Sequence, residues 1–170
     1  MSLLKEALDA GKFGITAEMA PPKGYDFTEQ MEAAELLRGK VHAVNVTDMQ
    51  SASLKATGLG LCIKLKQAGV EPILQMTGRD RNRMALMGDA LAAAAFGIDT
   101  MLALTGDHPV VGDCKDSKPV YDLDSVGILD LLTVLFFCIY GSLVLFTVMC
   151  VDELRSLCFR FFRYTGGIRT

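Results

Sequence analysis

The chain has 170 residues, a net charge of −3 and an apolar fraction of 51%. This length is sufficient for one domain with a substantial core. Lys and Arg form no long basic block, so charge gives no reason to expect nucleic acid as a partner.

The cysteine and histidine contents bound the chemistry further. The five cysteines include no Cys-x-x-Cys pair, and their odd number does not favour a disulfide framework. We interpret them as reduced thiols of a cytoplasmic protein. No metal site is predicted, because neither His42 nor His108 lies at a ligand spacing from a second strong ligand.

The N-terminal segment resembles a short helix rather than a signal peptide. Its apolar residues are spaced along one helical face and are not continuous: Leu3, Leu4, Ala7 and Leu8. We expect this helix to pack on the body of the domain.

From Gly14 onward the chain alternates between predicted strands and helices. Strands are predicted over 14–19, 41–46, 71–76 and 100–104, and helices over 27–39, 53–69 and 82–97. Thr28 is the predicted N-cap of the first of these helices, and Asp80 or Asn82 that of the third. Strand starts recur at roughly 30 residues, which is the size of one β/α unit.

Alternating strands and helices of this kind predict an α/β fold with a parallel sheet. No G-x-G-x-x-G follows the first strand, which disfavours the dinucleotide-binding open sheet. A complete barrel needs about 250 residues. We therefore predict parallel β/α units forming the first half of a (β/α)8 TIM barrel, truncated after about four strands.

Polar residues follow each predicted strand. In a parallel β/α array these strand ends share one face, where such folds build their sites. A common site is therefore expected from Glu18 in the first strand, Asn45, Thr47 and Asp48 in the second, Gln75 and Thr77 in the third, and Thr105, Gly106, Asp107 and His108 after the fourth.

The residue types suggest roles, each with a structural alternative. Glu18 lies in an apolar strand, where burial would suit it to general acid catalysis, although an ion pair would also explain it. Asp107 either caps a turn or faces a ligand that Gly106 allows to approach the backbone. Thr47 and Gln75 suit a polar ring edge but are equally ordinary at strand ends.

The "GRDRNR" run, residues 78–83, is rich in arginine. We predict that it begins a helix and that its arginines are solvated. A phosphate contact is the alternative interpretation.

Five motifs occur in order between about residues 14 and 130: "ITAEMAPPKG", "VNVTDMQS", "ILQMTGRDRNR", "ALTGDHP" and "KPVYDLDSV". Together they resemble methylenetetrahydrofolate reductase. The resemblance implies a flavoprotein that uses FAD and reduces methylenetetrahydrofolate to methyltetrahydrofolate in one-carbon metabolism and methionine biosynthesis. NAD(P)H or a partner reductase would donate the hydride, and a homo-oligomer would be compatible with this function.

The resemblance also assigns roles to individual residues. It implies that Glu18 is the general acid and that Asp107 is catalytic, lying near the flavin and binding the pterin of the substrate. The implied cofactor-binding residues are Thr47, Asp48, Gln50, Gln75, Thr105, Gly106, Asp107, Tyr121 and Asp122. Two positions depart from many members of the family: Gln75 replaces a His and Thr105 replaces an Arg.

Residues 131–151 carry no charge and are numerous enough to cross a hydrocarbon core of about 30 Å. We therefore divide the chain into a partial flavin- and folate-binding barrel, 1–130, and a hydrophobic, helical tail, 131–170. The tail is a membrane anchor, core that replaces missing strands, or the product of a reading-frame change or unspliced segment. The abrupt change in composition favours the last interpretation.

The predicted function is that of a truncated reductase with low or no activity alone, located in the cytoplasm. One alternative is an inactive binding fragment that associates with the membrane through 131–151. Another is a different folate-binding barrel, such as a methyltransferase, which would need no flavin.

Overall fold

The computed structural model of the chain describes the backbone of residues 2–140 and 147–150, and the side chains of residues 2–135. Helices and strands alternate along it. In chain order they are α1 (Leu3–Asp9), β1 (Thr16–Met19), α2 (Thr28–Leu37), β2 (Ala43–Val46), α3 (Gly58–Gln67), β3 (Pro72–Thr77), α4 (Arg83–Ala95), β4 (Thr100–Leu104), α5 (Ser125–Tyr140) and β5 (Thr147–Cys150).

The strands form one parallel sheet in the order β1-β2-β3-β4-β5. Each strand pairs with the next along the chain, as in the first half of a (β/α)8 barrel, whereas an open doubly wound sheet reverses its order. The predicted fold class is confirmed. Among the described residues, the sheet contains one strand, β5, beyond the four that the sequence pattern indicated.

The main core lies between the sheet and the helices that follow its strands. Val46, Leu74 and Met101 occupy one register line across β2, β3 and β4 and are buried on the helix-covered face. They pack with Leu65 of α3 and Leu86 of α4, both fully buried. These positions are apolar because alternate residues of a covered strand point into the same layer.

The second face of the sheet is apolar at its amino end and polar toward its carboxyl end. Leu4 of α1 forms a separate cluster there with Ala43, Ile73 and Leu102. Side chains alternate along a strand, so Asn45 and Gln75 lie on this same face. Glu18 is opposite Asn45 in the register.

One of the two predicted helix N-caps is confirmed and the other is wrong. Asn82 caps α4 as predicted, because its side-chain oxygen accepts a hydrogen bond from the Ala85 N–H at 3.0 Å. The prediction that Thr28 caps α2 is wrong. Thr28 is the first helical residue, and its N–H and hydroxyl both donate to the Asp26 carboxylate, at 3.0 and 2.6 Å.

The apolar segment 131–151 is divided between two elements. Helix α5 begins at Ser125, continues through the predicted boundary at 130, and contacts β4. Ile128 and Leu132 are buried in the main core. Strand β5 then pairs with β4. Residues 141–146 and 151–170 of the predicted tail lie outside the described residues.

None of the described helices has the length and apolar character needed to cross a membrane. In α5, the observed role of the buried apolar side chains is to cover the sheet.

We predict that Leu132→Ala lowers the free energy of unfolding by about 2–5 kcal/mol, because it opens a cavity under α5 where Leu132 is 1% exposed. Urea unfolding followed by circular dichroism would measure the change. Val134→Ala is the matched control, since Val134 is 61% exposed on the same helix. Equal small effects of both variants would contradict the packing of α5 on the core.

Candidate functional site

The candidate site lies at the carboxyl edge of the sheet, where the chain leaves three neighbouring strands. Thr47 and Asp48 directly follow β2, Arg79 and Arg81 follow β3, and the 105–107 segment follows β4. Parallel strands deliver these residues to one edge, as the sequence predicted for Thr47, Asp48 and the 105–107 segment. The two arginines were not predicted there.

Asp48 is the buried centre of this edge, with 3% of its surface exposed. Its carboxylate accepts hydrogen bonds from the N–H of Thr77 at 3.0 Å and from the Thr77 hydroxyl. It also accepts two from the Arg81 guanidinium, at 2.5 and 3.2 Å. These bonds compensate for the burial of the charge. The cofactor contact assigned to Asp48 stays a prediction, and its oxygens are engaged within the chain.

The prediction that the arginines of residues 78–83 are solvated is wrong for Arg79 and Arg81. Arg79 is 2% exposed and pairs with Asp80, while Arg81 pairs with Asp48 and with Asp89 at 2.9 Å. Only Arg83 among the three is largely exposed. A sequence signal existed for Arg79, because the acidic Asp80 is its neighbour in sequence, but the main partner of Arg81, Asp48, lies 33 residues away.

The guanidinium groups of the buried Arg79 and the partly buried Arg81 both remain positively charged. The hydrogen bond to Asp80 is the main cause that raises the pKa of Arg79. Burial lowers the pKa of Arg81, but the hydrogen bonds and charge of Asp48, together with the charge of Asp89, outweigh burial and raise it. The edge therefore combines fixed positive and negative charges in a poorly hydrated setting.

Two buried oxygens near this edge have no hydrogen-bond partner among the described residues. They are Thr47 Oγ1 and Asn45 Oδ1. Thr47 is 2% exposed, and the neighbouring Gln75 is 8% exposed. A buried polar atom without a partner costs about 1–3 kcal/mol, so native proteins rarely retain one without a use. Hydrogen bonds from a polar ligand would remove this cost.

The turn after β4 requires glycine. Gly106 has φ +89°, and a Cβ there would lie 2.8 Å from Thr77 Cγ2. The Tyr121 hydroxyl donates to the Gly106 carbonyl at 3.1 Å, and the Thr105 hydroxyl accepts from the N–H of Ser125 at 3.2 Å, where α5 begins. The structure thus brings Thr105, Gly106 and Tyr121 together, as expected from a shared site.

The turn after β2 has an unusual backbone. Met49, Ser51 and Ala52 have φ values of 46°, 55° and 53°, in the left-handed region that residues other than glycine rarely adopt. Asp113, from the segment after β4, accepts from the Leu54 N–H at 2.7 Å and from Lys23 at 3.0 Å. Contacts from several segments therefore surround this strained turn.

Five predicted site residues are exposed: Glu18, Gln50, Asp107, His108 and Asp122. The predicted burial of Glu18 is wrong, because β1 is an edge strand of the described sheet and nothing described covers that side chain. Burial therefore no longer supports an acid role for Glu18, and the family motif alone does. His108 is a turn cap, since its Nδ1 accepts from the Val110 N–H at 3.2 Å.

Asp122 lies apart from the buried charges and connects its loop to α4. It accepts from the Arg83 N–H at 2.8 Å and from two guanidinium nitrogens of Arg83 at 2.9 and 2.8 Å. These hydrogen bonds lower the pKa of Asp122 from 3.8 to about 2. Its predicted contact with a cofactor stays a prediction.

Comparison with known proteins identifies one matching family. The sequence model of the family described as Methylenetetrahydrofolate reductase matches residues 3–139. This range extends from the start of α1 to the penultimate residue of α5 and includes every candidate site residue. A search of curated proteins finds no match to the chain.

We predict that Asp122 makes stability depend on acid pH. Because its pKa is lowered on folding, its ion pair stabilises the fold above the unfolded value near 3.8, and this contribution is lost as pH falls toward about 2. The stability of Asp122→Asn should therefore fall less steeply over that interval. Urea unfolding at a series of pH values would measure this, with Asp116→Asn as the exposed control. If the free energy of unfolding changed with pH equally in the wild type and in Asp122→Asn, the pH dependence would not come from Asp122.

Proposed function

The chain belongs to the methylenetetrahydrofolate reductase family, and from this membership we propose flavin-mediated hydride transfer to methylenetetrahydrofolate. Membership supports a folate-related reductase in general terms. The more specific proposal adds FAD as the bound group, NAD(P)H or a partner reductase as the hydride source, and methyltetrahydrofolate as the product.

The observation that carries the proposal is the pair of buried oxygens, of Thr47 and Asn45, that have no hydrogen-bond partner in the part of the chain that the structure describes. A flavin ring is flat, with hydrogen-bonding atoms along its edge, so it needs polar partners and a close backbone approach. The two oxygens, with Gln75 nearby, are the polar partners that the site provides. The close backbone approach is possible at Gly106, which has no side chain. The residues therefore fit a flavin.

When bound, the flavin would supply the hydride transfer, while the protein supplies position and charge. Thr47 and Gln75 would bind the polar edge of the ring from the second face of the sheet. Tyr121 positions the Gly106 carbonyl through its hydroxyl. The ion pair of buried Asp48 with Arg81 keeps the ends of β2 and β3 in register.

Two exposed carboxylates are the proposed groups that act on the folate. The Asp107 carboxylate accepts no hydrogen bond within the described part of the chain, so its two oxygens remain available for the N–H groups of a pterin. Glu18 lies on the same face as Asn45, one strand away. We propose that the Glu18 carboxyl donates the proton that helps to open the methylene bridge.

We predict that Glu18→Gln retains flavin but lowers turnover by about 10²–10⁴-fold, because the amide cannot donate a carboxyl proton. Flavin absorbance of the purified protein and folate reduction in the steady state would be measured together. Glu32→Gln on α2 is the matched control, since Glu32 is exposed and away from the sheet edge. Unchanged turnover would eliminate the Glu18 role, and a wild-type protein that binds no flavin would refute the proposed function itself.

A further inference from the structure

Arg79 lies between the turns that follow β2 and β4. Its side chain donates to the Met49 carbonyl through Nη2 and to the Asp107 carbonyl through Nη1, both at 3.2 Å. The carboxylate of Asp80 accepts from Nε at 2.8 Å and from Nη2 at 2.6 Å. One guanidinium therefore joins two turns that are 58 residues apart in sequence.

The backbone of Arg79 reinforces the same junction. Its N–H donates to the Thr105 carbonyl at 3.1 Å, and its carbonyl accepts from the Val120 N–H at 2.7 Å. The segment that contains Tyr121 is thus connected to the two turns through the same residue. With 2% of its surface exposed, Arg79 has little contact with water.

The turn after β2 needs an anchor of this kind. Met49 has a left-handed backbone, and so do Ser51 and Ala52 beyond it. A backbone in this region persists only where the surroundings oppose its relaxation. The Met49 carbonyl that Arg79 binds lies at the beginning of this strained stretch.

We propose that Arg79 is a positioning residue that aligns the turns after β2 and β4. By binding the two carbonyl groups it places Asp107 relative to Thr47. Only a planar guanidinium can donate in these several directions at once, so lysine would keep the charge and lose the alignment. The alignment itself follows from the contacts, whereas its consequence for reduction rests on the proposed function.

Hydrogen exchange on the ligand-free full chain tests the alignment. In Arg79→Lys and Arg79→Gln, amides of residues 47–54 and 104–112 should exchange about tenfold faster, while α2 and α3 exchange as in the wild type. Arg38→Gln is the matched control, because Arg38 binds Glu35 and the Ala68 carbonyl far from this edge. Unchanged exchange, or an equal increase in every segment, would overturn the proposal.

A second variant decides the matter if replacement of buried Arg79 prevents folding. Asp80→Asn leaves the guanidinium in place and removes the carboxylate that orients it. Asp80 has 31% of its side chain exposed, so the substitution should be tolerated. We expect amide exchange in Asp80→Asn to be faster in the same two segments only, by a smaller factor than in the Arg79 variants. Exchange like that of the wild type would overturn the proposal.

Chemical rescue tests the consequence for the reaction. Arg79→Ala should lose turnover and regain part of it when millimolar guanidinium is added, whereas Arg38→Ala should not respond. A flavin-active wild type whose turnover is insensitive to Arg79→Lys would overturn the positioning role. A wild type without flavin or turnover would instead refute the proposed function, and the exchange result would still decide the alignment.

Discussion

The buried carboxylate of Asp48 is the constraint on which the candidate site depends. An ionised group that is 3% exposed must be paired, and Thr77 and Arg81 provide its partners. These bonds join the end of β2 to the end of β3, and the pair formed by Arg81 and Asp89 extends the connection to α4. Three elements are thus brought into register at the edge where Thr47 and Gln75 lie.

The other polar contacts of the edge extend this network toward β4. Arg79 bridges the turns after β2 and β4, and Gly106 allows the β4 turn to pass close to Thr77. Tyr121 then binds the Gly106 carbonyl. The result is a rim in which most polar groups are satisfied within the chain. The oxygens of Thr47 and Asn45 are distinctive because they have no hydrogen-bond partner among the described residues. Buried oxygens left unpaired within an otherwise hydrogen-bonded rim are suited to a polar ligand.

The sequence predicted what local patterns control. Strand and helix alternation, the parallel sheet and the Asn82 cap follow from short-range periodicity and capping chemistry. The burial of Arg79 and the partial burial of Arg81 were missed. The main partner of Arg81, Asp48, lies 33 residues earlier, and the carbonyls that Arg79 binds belong to other turns. The burial of Glu18 was wrongly predicted, because we expected an apolar strand to be covered on both faces. Strand β5 was missed because a continuous apolar run does not distinguish a buried strand from a helix.

The most direct test of the account is the affinity of the full chain for FAD in the wild type and in Thr47→Val, measured by flavin fluorescence titration. The Thr47 hydroxyl has no partner among the described residues, so its removal should not lower the free energy of unfolding. The account predicts saturable binding by the wild type and affinity about tenfold weaker in the variant, through one lost hydrogen bond. No binding by the wild type, or equal affinity in the two proteins, would contradict it.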